Sequence, residues 1–94
     1  MSSPPTVALV GATGVVGQEF LHILQERQFS AKRWHLVASS RSAGQSLHFG
    51  EETIQIEDLA TFDPSGVDVA FFSAGGDRSR EHIPRFVDAG AVVI

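Results

Sequence analysis

Residues 7–27 read VALVGATGVVGQEFLHILQER, and the fold follows from that stretch. Val7, Ala8, Leu9 and Val10 are apolar without alternation, the pattern of a parallel strand covered by helices on both faces. Gly11, Gly14 and Gly17 follow at regular spacing, and the chain passes straight into an amphipathic run carrying Val15, Val16, Phe20, Leu21, Ile23 and Leu24. Strand, glycine turn and helix are the parts of a dinucleotide phosphate-binding unit.

A side chain at Gly11 would obstruct the tight exit from the strand, and one at Gly14 would stand between the first helical turn and a pyrophosphate. Gly17 lacks a Cβ where the helix must lie close to its own strand. The unpaired amides of that first turn, with the helix dipole, would hold the anion. The spacing is GxxGxxG rather than GxGxxG, with Thr13 near the place of the middle glycine, where its hydroxyl can donate to a phosphate oxygen. Nucleotide-binding proteins that are not dehydrogenases share this spacing, and a tightly packed turn with no ligand is the competing explanation. Three glycines in so short a turn, before so regular a helix, have few purely structural uses.

The 94 residues suit one small domain or part of a larger one, and at 43% apolar they can build a core. A net charge of −4 and only 7 Lys and Arg, with no dense patch, argue against a nucleic-acid surface. No cysteine is present, which excludes disulfides, thiolate metal sites and a cysteine nucleophile within these residues. No apolar run is long enough to cross a bilayer, and the opening MSSPPT has neither a basic region nor an apolar targeting segment. A soluble cytoplasmic protein, away from membranes, is the expectation.

Residues 1–6 read as a loose lead-in, and residues 7–94 as a Rossmann-like nucleotide-binding domain. The first helix is expected from about Gly14 to Glu26. Residues 28–33 then form a loop, with Phe29 tucking back and Lys32 and Arg33 exposed. A second parallel strand, WHLVAS at 34–39, follows at the distance a strand–helix crossover requires, its C-terminal end beside the glycine turn.

The residues at that end bear on the cofactor. An NAD site usually has Asp or Glu there, about 20 residues beyond the glycines, accepting from the ribose hydroxyls. Ser39, Ser40, Arg41, Ser42, Ala43 and Gly44 stand there instead, with no acid near them in sequence. Arg41 can pair with a 2′-phosphate through parallel charge-assisted bonds, and Ser40 and Ser42 offer hydroxyls to the same group. NADP is therefore expected over NAD, which makes residues 7–94 a partial NADP-binding Rossmann-like domain. An ordinary solvated loop arginine is the plainer alternative.

Residues 45–57 suggest an antiparallel hairpin turning near Gly50, with Leu47 and Phe49 alternating before it and Ile54 and Ile56 after. His48 reads as an exposed spacer, with no second ligand at metal spacing. Residues 58–62 suggest a helical turn, and Asp63, Pro64, Ser65 and Gly66 a tight turn before the buried strand VDVAFF at 67–72. Ser73, Ala74, Gly75 and Gly76 give a small-residue exit where the backbone can pass the adenosine or pyrophosphate portion, and Ser73 can add a hydroxyl. Asp77 or Ser79 is a candidate cap for a helix through Arg80, Glu81, Ile83, Phe86 and Val87, with a late or irregular start imposed by Pro84. His82 reads as structural or solvated. Gly90 stops the helix, and residues 91–94 form another apolar strand. The whole is an α/β, doubly wound, mostly parallel Rossmann-type sheet without a complete catalytic set.

The string at 7–27, then LVASSRSAGQSLHFG, IEDLATFDPSGVDVAFFSAGG and finally FVDAGAVVI, resembles the N-terminal part of aspartate-semialdehyde dehydrogenase of the bacterial type over nearly the whole chain after Pro5. The combination of GATGVVG, SSRSAG and FSAGG is more diagnostic than any one of them. The related N-acetyl-glutamyl-phosphate reductases share the plan, but SSRSAG fits them less well. The resemblance implies NADP as cofactor, and a two-domain subunit assembled as a homodimer or homotetramer and cut off here before its C-terminal catalytic and dimerisation domain. It gives Thr13, Gly14, Val15 and Val16 as phosphate-loop contacts, supported by Gly11 and Gly17. Arg41 and Ser42, with Ser40 as helper, match the 2′-phosphate contacts, and Ser73, Ala74, Gly75 and Gly76 the adenosine-side segment. It places the nucleophilic cysteine, the acid–base histidine and the substrate arginines beyond Ile94, so no catalytic residue is expected here; His22, His35, His48 and His82 do not match that histidine. The implied reaction takes aspartyl phosphate to aspartate semialdehyde and phosphate, on the route to lysine, threonine, methionine and diaminopimelate. A free-standing nucleotide-binding or regulatory module is the alternative.

Overall fold

The computed structural model describes residues 4–12, 14–27, 31–49, 52–73 and 77–94, with residues 49 and 77–79 as backbone only. In chain order these form β1 (Thr6–Val10), α1 (Val15–Glu26), β2 (Arg33–Ala38), β3 (Ser46–Phe49), β4 (Glu52–Asp58), β5 (Val69–Phe72), α2 (Asp77–Asp88) and β6 (Val92–Val93). The strands make one sheet in the order β3-β4-β2-β1-β5-β6. The β3–β4 hairpin pair is antiparallel, and every other pairing is parallel.

From β1 the chain steps outward through β2 to β4, then returns to the far side of β1 for β5 and β6. The direction of winding therefore reverses at β1 and β5, and the crevice at their carboxyl ends is the switch point of a doubly wound sheet. Residues 7–10 of β1 are wholly buried, as their unbroken apolar run requires.

Alternation along β1 sends Ala8 and Val10 into one core and Leu9 into the other. Ala8 and Val10 meet Val37, Ala70 and Phe86 of α2, with Leu59, Phe62 and Val67 from the β4–β5 connection covering the same face. Leu9 meets Leu36, Ala38, Ile56 and Leu21 of α1, against which Phe20 and Phe71 pack. The two helices thus cover opposite faces, one each. Phe86 is fully buried, stacked on Phe62 at 5.7 Å and edge-on to Phe72 at 5.0 Å. Its burial contributes about 1.5–3 kcal/mol. α1 buries Gly17, Leu21 and Leu24, whereas Val15, Val16 and Ile23 of the same apolar run lie off the core face.

Several local expectations are corrected. Arg33 belongs to β2, paired with Thr6, rather than to the preceding loop. The hairpin forms as the alternation at 45–57 implies, but β4 is also a full member of the main sheet, with Leu36, Val37 and Ala38 paired to Ile56, Glu57 and Asp58. Residues 58–62 make only a single hydrogen-bonded turn, closed by the Thr61 amide on the Asp58 carbonyl at 3.2 Å. The Asp58 side chain takes the Ala60 amide at 3.0 Å, and Phe62 then turns inward. Pro84 neither delays nor displaces the start of its helix: α2 runs from Asp77 with Pro84 inside it. The missing Pro84 amide leaves the Arg80 carbonyl without its helical donor, and both residues are exposed, so water can serve that carbonyl.

The expected stop at Gly90 is a Schellman motif: the Ala91 amide donates to the Phe86 carbonyl and the Gly90 amide to the Val87 carbonyl, both at 3.0 Å. Ala91 and Phe86 share one core. The expected position of Phe29, the hairpin turn at Gly50, and capping by the Asp77 or Ser79 side chain lie outside what is described. Among the described residues no helix is long and apolar enough to cross a membrane.

Candidate nucleotide-binding site

β1 delivers Gly11 to the carboxyl edge of the sheet with φ of 90°, a conformation that side chains rarely adopt. The Gly11 and Ala12 amides both donate to the Val37 carbonyl of β2, at 2.8 and 3.3 Å. On the other side the Ser73 amide donates to the Val10 carbonyl at 3.0 Å. The Ser73 hydroxyl stands 2.9 Å from that oxygen and 3.2 Å from the Gly11 carbonyl, which also accepts the Gly14 amide at 3.1 Å. The turn is therefore tied to both neighbouring strands. The Ser73 hydroxyl proton goes to this bracing, while the residue lines the cleft.

The helix crosses this turn at close range. A Cβ on Gly17 would stand 2.1 Å from the Gly11 carbonyl oxygen and 3.0 Å from the Ala12 Cα, so no side chain fits there. A Cβ on Gly14 would meet the same oxygen at 3.5 Å, an ordinary contact. Gly14 is the N-cap of α1, contributes no side-chain cap, and is followed by no acid in the first turn. The first intrahelical bond is that of the Gln18 amide to the Gly14 carbonyl, at 3.0 Å. The amides of Val15, Val16 and Gly17 precede it, and in a helix such amides need partners from outside. With the dipole they favour an anion.

A cleft of about 440 Å³ opens at this helix end, within the range of small-ligand sites. Gly11, Gly14, Val15, Val16 and Gly17 line one side, Val10 and Ser73 the floor, Ala38, Ser39 and Ser40 the end of β2, and Asp58, Leu59 and Ala60 the end of β4; His82 of α2 completes the wall. Val15 is 82% and Val16 63% exposed, which fits residues whose side chains flank an opening rather than a core.

Of the residues singled out in sequence, Gly11, Gly14, Val15, Val16, Gly17, Ser40 and Ser73 come together in this cleft. Arg41 and Ser42 stand just outside its lining, on a turn in which the Ser42 and Ala43 amides donate to the Ser39 carbonyl at 2.9 and 3.2 Å. Arg41 is exposed and Ser42 half-buried. Thr13, Ala74, Gly75 and Gly76 lie outside the described residues.

One expectation at the end of β2 is overturned. Sequence places no acid near residues 39–44, but the β2–β4 pairing sets Asp58 beside Ala38, and the Ser40 hydroxyl donates to its carboxylate at 2.9 Å. The acid arrives from the next strand in the sheet, across a hairpin, where reading along the chain does not find it. His82, which reads from sequence as structural or solvated, accepts at Nδ1 from Arg85, with Nη2 at 2.7 Å and Nε at 3.2 Å. Arg85 in turn donates to the Leu59 and Phe62 carbonyls at 2.7 and 2.9 Å. This fixes the wall after β4 to α2. The signal in sequence was the His82–Arg85 spacing of neighbours on one helix face.

A parallel sheet whose switch point carries a glycine turn and an uncapped helix N-terminus defines a dinucleotide-binding domain of the Rossmann type. Within that class the chain belongs to the semialdehyde dehydrogenase family, matching its domain described as "Semialdehyde dehydrogenase, NAD binding domain" over residues 6–94. It is 50% identical over all 94 residues to an aspartate-semialdehyde dehydrogenase of Legionella pneumophila, of which it covers 27%. It is 47% identical to a protein of Pseudomonas aeruginosa named USG-1 protein homolog, of which it covers 28%. In three dimensions 97% of the chain superposes on 30% of aspartate semialdehyde dehydrogenase II from Vibrio cholerae, solved in complex with ASA, with TM-score 0.91 and 42% identity. The chain thus spans less than a third of the length of these relatives.

Proposed function

We propose that these residues hold the nicotinamide cofactor of an aspartate-semialdehyde dehydrogenase, with NADP preferred to NAD. The observation that carries this reading is the cleft in which the uncapped first turn of α1 meets the Gly11 turn at the switch point. Donor chemistry and space suit the group: the Val15, Val16 and Gly17 amides and the Thr13 hydroxyl for the pyrophosphate, with bare Gly14 between them. Arg41 and Ser42, helped by Ser40, take the 2′-phosphate, and residues 73–76 pass the adenosine side. When bound, the reduced cofactor supplies hydride. The residues of this chain bind and orient it; the tied-down Gly11 turn holds the phosphate donors in place before the ligand arrives, so little ordering cost remains to be met on binding.

In the whole protein the reaction is reductive dephosphorylation of L-4-aspartyl phosphate by NADPH and a proton, giving L-aspartate 4-semialdehyde, phosphate and NADP. Groups supplied from outside these 94 residues act on the small-molecule substrate. The protein is a cytoplasmic homodimer or homotetramer serving the synthesis of lysine, threonine, methionine and diaminopimelate. The 50% identity to the Legionella enzyme, across an alignment of all 94 residues, supports that assignment. A second reading, a nucleotide-binding module without catalysis, is favoured by the Pseudomonas relative whose name states no activity.

Titration with NADPH and NADH, repeated after Arg41→Ala, tests the cofactor assignment. NADPH alone should weaken, by on the order of 1–3 kcal/mol for a lost charge-assisted contact. Equal losses for both would remove the 2′-phosphate role, and binding of neither by the parent chain would refute the nucleotide site. Phosphate-dependent reduction of NADP in the presence of aspartate semialdehyde separates the enzyme from the non-catalytic module.

A further inference from the structure

The acid at the end of β4 occupies a position that matters for cofactor choice. In this fold the ribose nearest the adenine lies at the end of the second strand, where an acid accepts from its hydroxyls in NAD sites and a cation meets the 2′-phosphate in NADP sites. Here both chemistries converge. Arg41 stands exposed on the turn after β2, and Asp58 reaches the same strand end from β4, lining the cleft. Each oxygen of the Asp58 carboxylate is held, Oδ1 by the Ala60 amide at 3.0 Å and Oδ2 by the Ser40 hydroxyl at 2.9 Å. The backbone beyond it is anchored through the Leu59 carbonyl to Arg85. The carboxylate is thus a fixed negative charge, and among the described residues it forms no ion pair with Arg41.

From this geometry we infer that Asp58 is a specificity-determining residue that moderates the NADP preference and gives the site a working affinity for NAD. The inference rests on the proposed dinucleotide reading of the cleft. A 2′-phosphate at Ser40 competes with the Asp58 carboxylate for one hydroxyl proton and is repelled by its charge. A 2′-hydroxyl does neither, and it can donate to the carboxylate lone pairs that Ala60 and Ser40 leave open. Ser40 is the divider: its proton goes to Asp58 when the cofactor is NAD, and turns to the phosphate when it is NADP.

Asp58→Asn tests this with little disturbance, since the amide oxygen can still accept from the Ala60 N–H while the charge is gone. On the full chain, the ratio of NADPH to NADH affinity should rise by about tenfold, as expected for loss of one screened charge interaction, with NADPH tightening and NADH weakening. A ligand-side arm needs no variant: the parent chain should bind NADH several-fold more tightly than its 2′-deoxy analogue. Binding of both cofactors with an unchanged ratio in the variant, or equal binding of NADH and the 2′-deoxy analogue, would overturn the role of Asp58 and leave the nucleotide site standing. Failure of the parent chain to bind either cofactor would instead refute the nucleotide site, and the role of Asp58 with it.

Discussion

Gly17→Ala and Gly14→Ala should fail in different ways, although both add one methyl to the same glycine turn. At Gly17 the new Cβ would lie 2.1 Å from the Gly11 carbonyl oxygen and 2.9 Å from its carbon. That oxygen cannot easily move: the Gly14 amide bonds it at 3.1 Å, the Ser73 hydroxyl stands 3.2 Å away, and the Gly11 amide is fixed to Val37 at 2.8 Å. Reaching an ordinary contact therefore requires the first turn of α1 to retreat by about 1 Å, at a cost at or above the upper end of the ~1–3 kcal/mol typical of overpacking. Alanine returns about 1 kcal/mol of helix propensity, leaving a net loss near 2–3 kcal/mol. For a domain of this size that corresponds to a fall in Tm of roughly 10–20 °C. At Gly14 the contact is 3.5 Å and the backbone, at φ −72° and ψ 164°, accepts any residue. Stability should fall by less than about 1 kcal/mol, the cost of a poorer N-cap, while NADPH binding drops because the methyl occupies the approach to the Val15, Val16 and Gly17 amides. Thermal unfolding and cofactor titration of the two variants read these separately. A Gly17→Ala protein that melts at or above the parent would refute the close-approach reasoning.

Arg85→Met should destabilise by about 2–3 kcal/mol, since charge-assisted bonds to the Leu59 and Phe62 carbonyls are lost while the apolar stem is kept; denaturant unfolding checks this, and an unchanged midpoint would show that α2 does not brace the β4–β5 connection. The Ser65 amide, foremost, and then its hydroxyl and the Arg85 charge, hold the Asp63 carboxyl below its ordinary value of 3.8. A depressed folded value stabilises the protein above the unfolded one, so the margin of the parent over Asp63→Asn should be steady from neutral pH down to the ordinary carboxylate range. It should vanish as the pH falls through the lower folded value, in melting curves taken along that range. The group is fully exposed, so the margin is small, and a margin that grows on acidification would contradict the assignment. Arg41→Ala should weaken NADPH and spare NADH, as titration will show.

What lies along the chain was legible in sequence, and what lies across it was not. The unbroken apolar run at 7–10 marks a strand covered on both faces, and the glycine spacing marks the turn because Gly17 can tolerate nothing larger. The cleft's second half depends on which strands become neighbours. β4 pairs with β2 in parallel as well as with β3, so Asp58 reaches Ser40 from 18 positions away. Pro84 is a case of tertiary context overriding propensity: α2 buries Phe86 in the core and anchors Arg85 on two carbonyls, which outweighs one missing helical bond. Ser73 lines the cleft, but its hydroxyl goes to the nearer acceptors on the β1 exit, a pairing visible only once β5 lies beside β1.

In the proposed function the first-turn amides of α1 take the cofactor's pyrophosphate. Backbone amide NMR of the full chain during addition of NADPH addresses those atoms directly. The Val15, Val16 and Gly17 amides should shift most strongly and saturate together with the fluorescence of bound NADPH. Saturable binding that leaves those three amides unmoved would contradict the account.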